Sequence, residues 1–256
     1  MNAPLAGAGR SDVGRRRDFN EDTFAVDLVN GLFAIADGMG GAAAGEVASS
    51  IAIATLTEYI SRTASEASPD RPFGWDDRLS GQANRLRSGI LLANEKIYRT
   101  IEEHEEMKGM GTTLVAALAR DSGVCVGHVG DSRVYLCRDG QLRQITSDHS
   151  WVNEQVSLGL LTREEALRHP FRNVITRALG SREQVSADVT ELPLSPGDRI
   201  LLCSDGLTNM LDDRRILQVL GDHQRDYEAA AAELIRQANE AGGDDNITVI
   251  VAGLPS

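Results

Sequence analysis

Cysteine is scarce: the 256 residues hold three, Cys125, Cys137 and Cys203. An odd number, widely spaced and flanked by β-branched or aliphatic residues, excludes a disulfide frame and a zinc knuckle and predicts buried free thiols. No apolar run approaches the length of about 20 residues needed to cross a bilayer, and Met1 to Arg10 shows no apolar stretch behind a basic start. The expected address is therefore the cytoplasm, with no membrane partner. Basic residues are in deficit as well: Lys and Arg total 26 against 38 Asp and Glu, a formal charge of −12 that opposes binding to nucleic acid or anionic lipid. Aromatics reach only 4%, yet 41% hydrophobic and 25% charged residues are ordinary for a folded soluble domain, which excludes disorder as the main state. Internal repeats and low-complexity tracts are absent. The one linker-like stretch, Thr63 to Gly81, reads as a loop between two helical patterns.

What is present begins with strand signals. Thr23 to Asp27 alternates, and Leu32 to Ala36 follows Asn30-Gly31, a hairpin signal whose two central positions both call for positive φ. Two antiparallel strands are therefore expected to open the fold. A meander follows: Thr112 to Ala119, Val124 to Val129, Arg133 to Cys137, then a turn at Asp139-Gly140 into Gln141 to Ile145. Ala187 to Leu192 and Arg199 to Cys203 suggest a further strand pair, and Ile247 to Ala252 a last strand. Between them, Glu46 to Ile60 reads as a helix, Leu86, Ile90, Ala93, Ile97 and Ile101 recur at helical spacing, and so do Tyr227, Ala231, Leu234 and Ala238. Antiparallel meanders with helices gathered outside predict an α+β fold of two stacked sheets, each covered by helices.

Carboxylates fall at the borders of these strands, in Asn20-Glu21-Asp22, Asp37-Gly38, Asp131-Ser132, Asp205-Gly206 and Asp244-Asp245-Asn246. Any one of them is an ordinary turn. Together they bring like charges to strand ends that the apolar runs drive into the core, so something positive is needed among them. Oxygen donors without a Cys or His cluster select a hard ion, Mg²⁺ or Mn²⁺. Two such ions about 4 Å apart can share a carboxylate and ready a water for hydrolysis. Arg15-Arg16-Arg17 stands beside Glu21 and Asp22; Arg15 and Arg16 read as solvated, whereas Arg17 is placed to grip a phosphate. A rival motif is Gly38-Met39-Gly40 with Ala43 and Glu58, a dinucleotide fingerprint. It fits badly, because Asp37 would face a pyrophosphate and the preceding hairpin is antiparallel.

Taken in order, Arg17-Asp18-Phe19-Asn20-Glu21-Asp22, Asp37-Gly38-Met39-Gly40-Gly41, Gly111-Thr112-Thr113, Gly130-Asp131-Ser132-Arg133, Ser204-Asp205-Gly206-Leu207 and Asp244-Asp245-Asn246-Ile247-Thr248 resemble the motifs of the metal-dependent protein phosphatases, the PPM or type 2C serine/threonine phosphatases of bacterial type. The likeness spans about Ser11 to Ala252. It implies one catalytic domain over residues 1–256, a four-layer αββα sandwich of two mainly antiparallel sheets flanked by helices, with a flap at about 150–186.

The resemblance also implies roles. Asp37 would bridge two core ions, Mn²⁺ or Mg²⁺, with Asp205 and Asp245 completing the first and Glu21 plus the Gly38 carbonyl oxygen holding the second. Asp22 would orient the attacking water, Asp131 and Asp205 would bind a third, weaker ion, and Arg17 would bind phosphate. The implied reaction is direct attack of a metal-bridging hydroxide on phosphoserine or phosphothreonine, without a phosphoenzyme. Phosphorylated proteins, a serine/threonine kinase and its substrates are the implied partners, and a monomer is expected. Where many eukaryotic members carry a proton-donating His after Asp-Gly, this chain has Met39, which has no proton to give. His149 lies where the flap begins and could approach the substrate, but it reads more readily as a structural or solvent-facing residue.

Overall fold

The apolar and alternating runs become strands and the helical stripes become helices in a computed structural model that describes residues 5–40, 44–64, 72–120 and 123–254. Gly41, Ala43 and the middle of the 63–81 stretch lie outside the described residues. The strands are β1 (Ala6–Asp12), β2 (Asp22–Asp27), β3 (Leu32–Met39), β4 (Gly111–Thr112), β5 (Leu114–Arg120), β6 (Gly123–Val129), β7 (Arg133–Arg138), β8 (Gln141–Gln144), β9 (Asp188–Pro193), β10 (Arg199–Cys203) and β11 (Ile247–Gly253). The helices are α1 (Ala44–Thr63), α2 (Gly81–Glu103), α3 (Trp151–Ser157), α4 (Arg163–Arg168), α5 (Asp205–Thr208), α6 (Asp213–Asp222) and α7 (Tyr227–Glu240). One sheet has the order β1-β11-β10-β7-β8 and the other β2-β3-β5-β6-β9, with β4 attached to β3. Every pairing is antiparallel.

The two-residue period of a strand explains the layers, because alternate residues must bury against different partners. Leu32, Ala34 and Ala36 of β3 pack with Leu56, Ile60, Leu86 and Ile90 of α1 and α2. Phe33 and Ile35, on the opposite face, meet Val134, Leu202 and Ile250 from the other sheet. Val249 and Val251 of β11 then turn outward to Ile216, Leu234 and Ala238 of α6 and α7. Three apolar interfaces between four layers give the expected αββα sandwich. All three cysteines are buried and free.

Four local expectations are corrected. The fold does not open on the β2–β3 hairpin: β1 precedes it and pairs with β11. Gly7 and Gly9 hid this strand, and they are small because a Cβ on either would come within 2.8 Å of the rings of Phe33 and Phe24. The β2–β3 turn is not a two-residue turn at Asn30-Gly31, since Asp27 pairs with Leu32. The Asp27 carboxylate accepts from the N–H groups of Val29 and Asn30, both at 3.0 Å, and stabilises a longer loop in which Gly31 alone has positive φ. Asp139 and Gly140, at φ 50° and 71°, do form the tight two-residue turn. Strands β9 and β10 are not partners: β9 joins β6 in one sheet and β10 lies between β7 and β11 in the other. Finally, the run from Thr112 is interrupted at Thr113, whose N–H is diverted to the Asp37 carbonyl oxygen at 2.9 Å.

Candidate metal centre

Antiparallel pairing delivers the carboxylates to one end of the sandwich. Asp22 opens β2 and stands directly across from Asp37 near the end of β3. Asp131 follows β6 after Gly130, Asp205 follows β10 at the start of α5, and Asp245 precedes β11, the neighbour of β10. Their mutual influence measures their convergence. Burial lifts Asp37 well above the usual carboxylate range, and Asp22, Asp205, Asp131 and Asp245 all push it further. Burial, then Asp205 and Asp245, bring Asp22 up to about 7. Burial, then Asp205, bring Asp131 to about 7. Asp205 is raised by burial and by Asp245. No three of these carboxylates bring ligand atoms within 4.8 Å of one another: among the described residues, the only trio of His, Cys or acidic side chains that does so is His128, His149 and Asp188.

Two buried oxygens in the cluster, Asp22 Oδ1 and Asp131 Oδ1, have no hydrogen-bond partner. Burying an unpaired carboxylate oxygen is costly, and a cation is the group that reverses the cost. The donor set is all oxygen, which suits a hard divalent ion. Glu21 flanks the cluster: its carboxylate lies so close over Gly45, at the start of α1, that a Cβ there would sit 2.6 Å from Oε1. The residues therefore fit divalent ions of the Mg²⁺ or Mn²⁺ kind.

Arg17 points its Nη2 at Asp245 Oδ2, 2.7 Å away, and remains half exposed. That hydrogen bond, with the charges of Asp245, Glu21 and Asp37, raises its pKa. Arg15 uses its main-chain N–H on Gly243, and exposed Arg16 reaches no nearer than 3.8 Å to Asp244, in keeping with solvated side chains. Among the described residues neither sheet has a parallel pair, so the dinucleotide fingerprint lacks its fold.

Residues 9–250 match the sequence profile of protein phosphatase 2C. The chain belongs to the protein phosphatase 2C family. Serine/threonine phosphatase Stp of Listeria monocytogenes is 38% identical over 245 residues, covering 94% of this chain and 93% of its own. The crystal structure of serine/threonine phosphatase PstP/Ppp of Mycobacterium tuberculosis superposes with a TM-score of 0.86 at 40% identity, covering 98% of this chain and 99% of that one. A structure of the PstP catalytic domain in complex with two manganese ions gives a TM-score of 0.84 at 38% identity, with the same coverage.

Within this phosphatase 2C fold, several polar anchors escaped the reading of the acidic turns. Asn246 accepts from the Glu21 N–H at 2.8 Å and donates to the carbonyl oxygens of Val13 and Phe19, both at 2.9 Å, so it ties the Arg17 loop to Glu21. Ser204 Oγ donates to Asp22 Oδ2 at 2.9 Å and accepts from the Thr248 N–H at 3.0 Å. Thr113 Oγ1 accepts from the Asp37 N–H at 3.2 Å, while Thr112 Oγ1 donates to the Asp37 carbonyl oxygen at 2.8 Å. All these residues sit inside the recognised motifs. Their neighbouring carboxylates drew the attention because hydroxyl and amide anchors carry no charge pattern along a chain.

Proposed function

We propose that this chain is a metal-dependent protein serine/threonine phosphatase that hydrolyses phosphoserine and phosphothreonine directly. Asp37 would be shared between two divalent ions, with Asp205 and Asp245 on one and Glu21 with the Gly38 carbonyl oxygen on the other; Asp131 and Asp205 would hold a third, weaker one. Such ions, when bound, supply positive charge that activates water and polarises the phosphoryl group. The protein's own part is to fix that geometry. Asp22, anchored by Ser204, is placed to orient the attacking water, and the fork of Arg17 to hold the phosphoryl oxygens in line. Met39 offers no proton, so the leaving oxygen is protonated from elsewhere.

The observation that carries this reading is the pair of orphaned oxygens, on Asp22 and Asp131, in an acidic cluster where burial and neighbouring carboxylates raise the pKa values of Asp22, Asp37, Asp131 and Asp205. A non-catalytic binding module of the same fold is disfavoured because every side chain assigned to the metals is a carboxylate. Residues 150–186 would serve as a flap beside the site: they carry the short helices α3 and α4 and expose Leu158, Leu160, Leu167 and Phe171, a surface suited to substrate proteins. No helix among the described residues is long and apolar enough to cross a membrane. We place the enzyme in the cytoplasm as a monomer, opposing a serine/threonine kinase in signalling. The test is phosphate release from a phosphothreonine peptide with and without Mn²⁺, against a phosphotyrosine peptide. Mn²⁺-dependent release from the first alone is expected; equal release from both, or release indifferent to metal, would overturn the reading.

A further inference from the structure

One buried polar unit takes no part in the chemistry above. His128 and His149 are 5% and 6% exposed, and their rings stack at a centroid distance of 4.5 Å. His128 Nε2 meets the Ser147 carbonyl oxygen at 2.9 Å. His149 grips the Gly130 residue at both ends: its Nδ1 accepts from the Gly130 N–H at 3.0 Å, and its own main-chain N–H donates to the Gly130 carbonyl oxygen at 2.9 Å. An Nδ1 that accepts leaves the ring proton on Nε2. That proton is aimed at Asp188 Oδ2, 3.2 Å away, while Arg177 Nη1 donates to Asp188 Oδ1 at 2.9 Å. Arg177 Nη1 also stands 3.0 Å from Nε2, but with Nδ1 accepting from Gly130 the Nε2 and Nη1 groups are both donors, so the Asp188 carboxylate is the acceptor that holds them together and supports that tautomer. Burial and the neighbouring His128 ring lower the pKa of His149, in agreement with a neutral ring.

The peptide held in this way immediately precedes Asp131. On its far side there is no slack: Gly130 has φ +109°, a Cβ on it would come within 2.6 Å of Thr113, and the Thr113 and Ser132 hydroxyls are 2.7 Å apart. Beyond Asp131, the Arg133 guanidinium donates to Asp148 from Nε at 3.0 Å and from Nη2 at 2.7 Å. The dipeptide Asp148-His149 thus pins the turn on both sides of Asp131, whose Oδ1 is buried and unpartnered.

We infer that His149, oriented by Asp188 and Arg177, is a positioning residue that fixes where Asp131 presents its carboxylate and thereby sets the affinity of the weak third divalent-ion site. The inference rests on the assignment of Asp131 to that site. Groups that orient a metal ligand without touching the metal typically change affinity about 10- to 100-fold when removed. Calorimetric titration of the full chain with Mn²⁺ tests this, with thermal melting as a check on folding. Asp131→Ala should abolish the weakest binding event. His149→Ala should weaken that event about 10- to 100-fold and leave the tighter events unchanged. His149→Asn, whose side-chain oxygen can stand where Nδ1 stands, should restore most of the loss. Asp188→Ala, at a half-exposed carboxylate, should weaken the same event without touching the ring. If Asp131→Ala alone alters the weak event, while His149→Ala and Asp188→Ala leave it as in the wild type, the inference is wrong and the site assignment stands. If all events weaken together as the melting temperature falls, His149 is merely structural and the inference is again wrong. If Asp131→Ala leaves the isotherm unchanged, the third-ion assignment itself fails and takes the inference with it. Should His149→Ala not fold, His149→Asn and Asp188→Ala decide.

Discussion

At Asp22 burial and charge oppose each other in a way that can be measured as stability. In the metal-free protein its carboxyl is pushed up to about 7 by burial and by Asp205 and Asp245, whereas in an unfolded chain it titrates near 3.9. Between those values the folded state binds the extra proton, so stability falls as pH rises through the window and the loss is complete above the folded value. About three units at roughly 1.4 kcal/mol each set the scale at about 4 kcal/mol. Asn is nearly isosteric and cannot ionise, so Asp22→Asn escapes the loss. With EDTA present, a variant that matches the wild type near about pH 5 should exceed it near about pH 8 by about 3 kcal/mol, the part of the window above about pH 5, or ~10 °C in melting temperature for a chain of this size. His128 and His149, whose pKa values burial lowers, act with the opposite sign as pH falls. They are present in both proteins and cancel in the difference. Saturating Mn²⁺ should shrink the difference, because the ions offset the repulsion on the Asp22 carboxylate while both proteins keep the assigned ligands. Melting curves over this pH range, with EDTA and with Mn²⁺, are the assay. A pH-independent difference, or a metal-free variant less stable than the wild type at the alkaline end, would refute the reasoning.

Three other substitutions test separate parts of the centre. Asp205→Asn should fold yet lose hydrolysis of an aryl phosphate by on the order of 100-fold or more, the scale seen when one electrostatic stabiliser of a transition state is removed; circular dichroism and steady-state rates at saturating Mn²⁺ check both halves. Arg17→Ala should raise KM about tenfold with a smaller change in kcat, the signature of a lost charged hydrogen bond to the ground-state phosphate. A steep fall in kcat at unchanged KM would contradict its role. Gly45→Ala places a Cβ 2.6 Å from Glu21 Oε1 and should weaken Mn²⁺ activation about tenfold, the scale of a displaced metal ligand's support. An unaltered Mn²⁺ dependence would separate Glu21 from the metal centre.

The layered fold was legible where strands had to bury both faces, as in β3, β6 and β11, because near-continuous apolar runs between turn residues have few other uses. Strand β1 was not, since Gly7 and Gly9 answer to aromatic rings from distant positions. The partners of β9 and β10 were equally hidden: both segments read as strands, and only the three-dimensional path from Pro193 to Arg199 sends them to different sheets. The acidic centre was readable because charge beside glycine at a strand border stands out in a chain. Its supports were not. Asn246 reaches back 227 positions to Phe19, and His149 meets Asp188 across 39. Contacts of that separation leave no local pattern, so the oriented imidazole beside Asp131 emerges only from the folded molecule.

The most direct measurement is anomalous scattering from a crystal grown with Mn²⁺ and recorded on either side of the manganese absorption edge. Two strong peaks flanking the Asp37 carboxylate, one toward Asp205 and Asp245 and one toward Glu21, are the expected result. Manganese bound elsewhere on the protein, with none beside Asp37 under conditions where the enzyme turns over, would contradict the account.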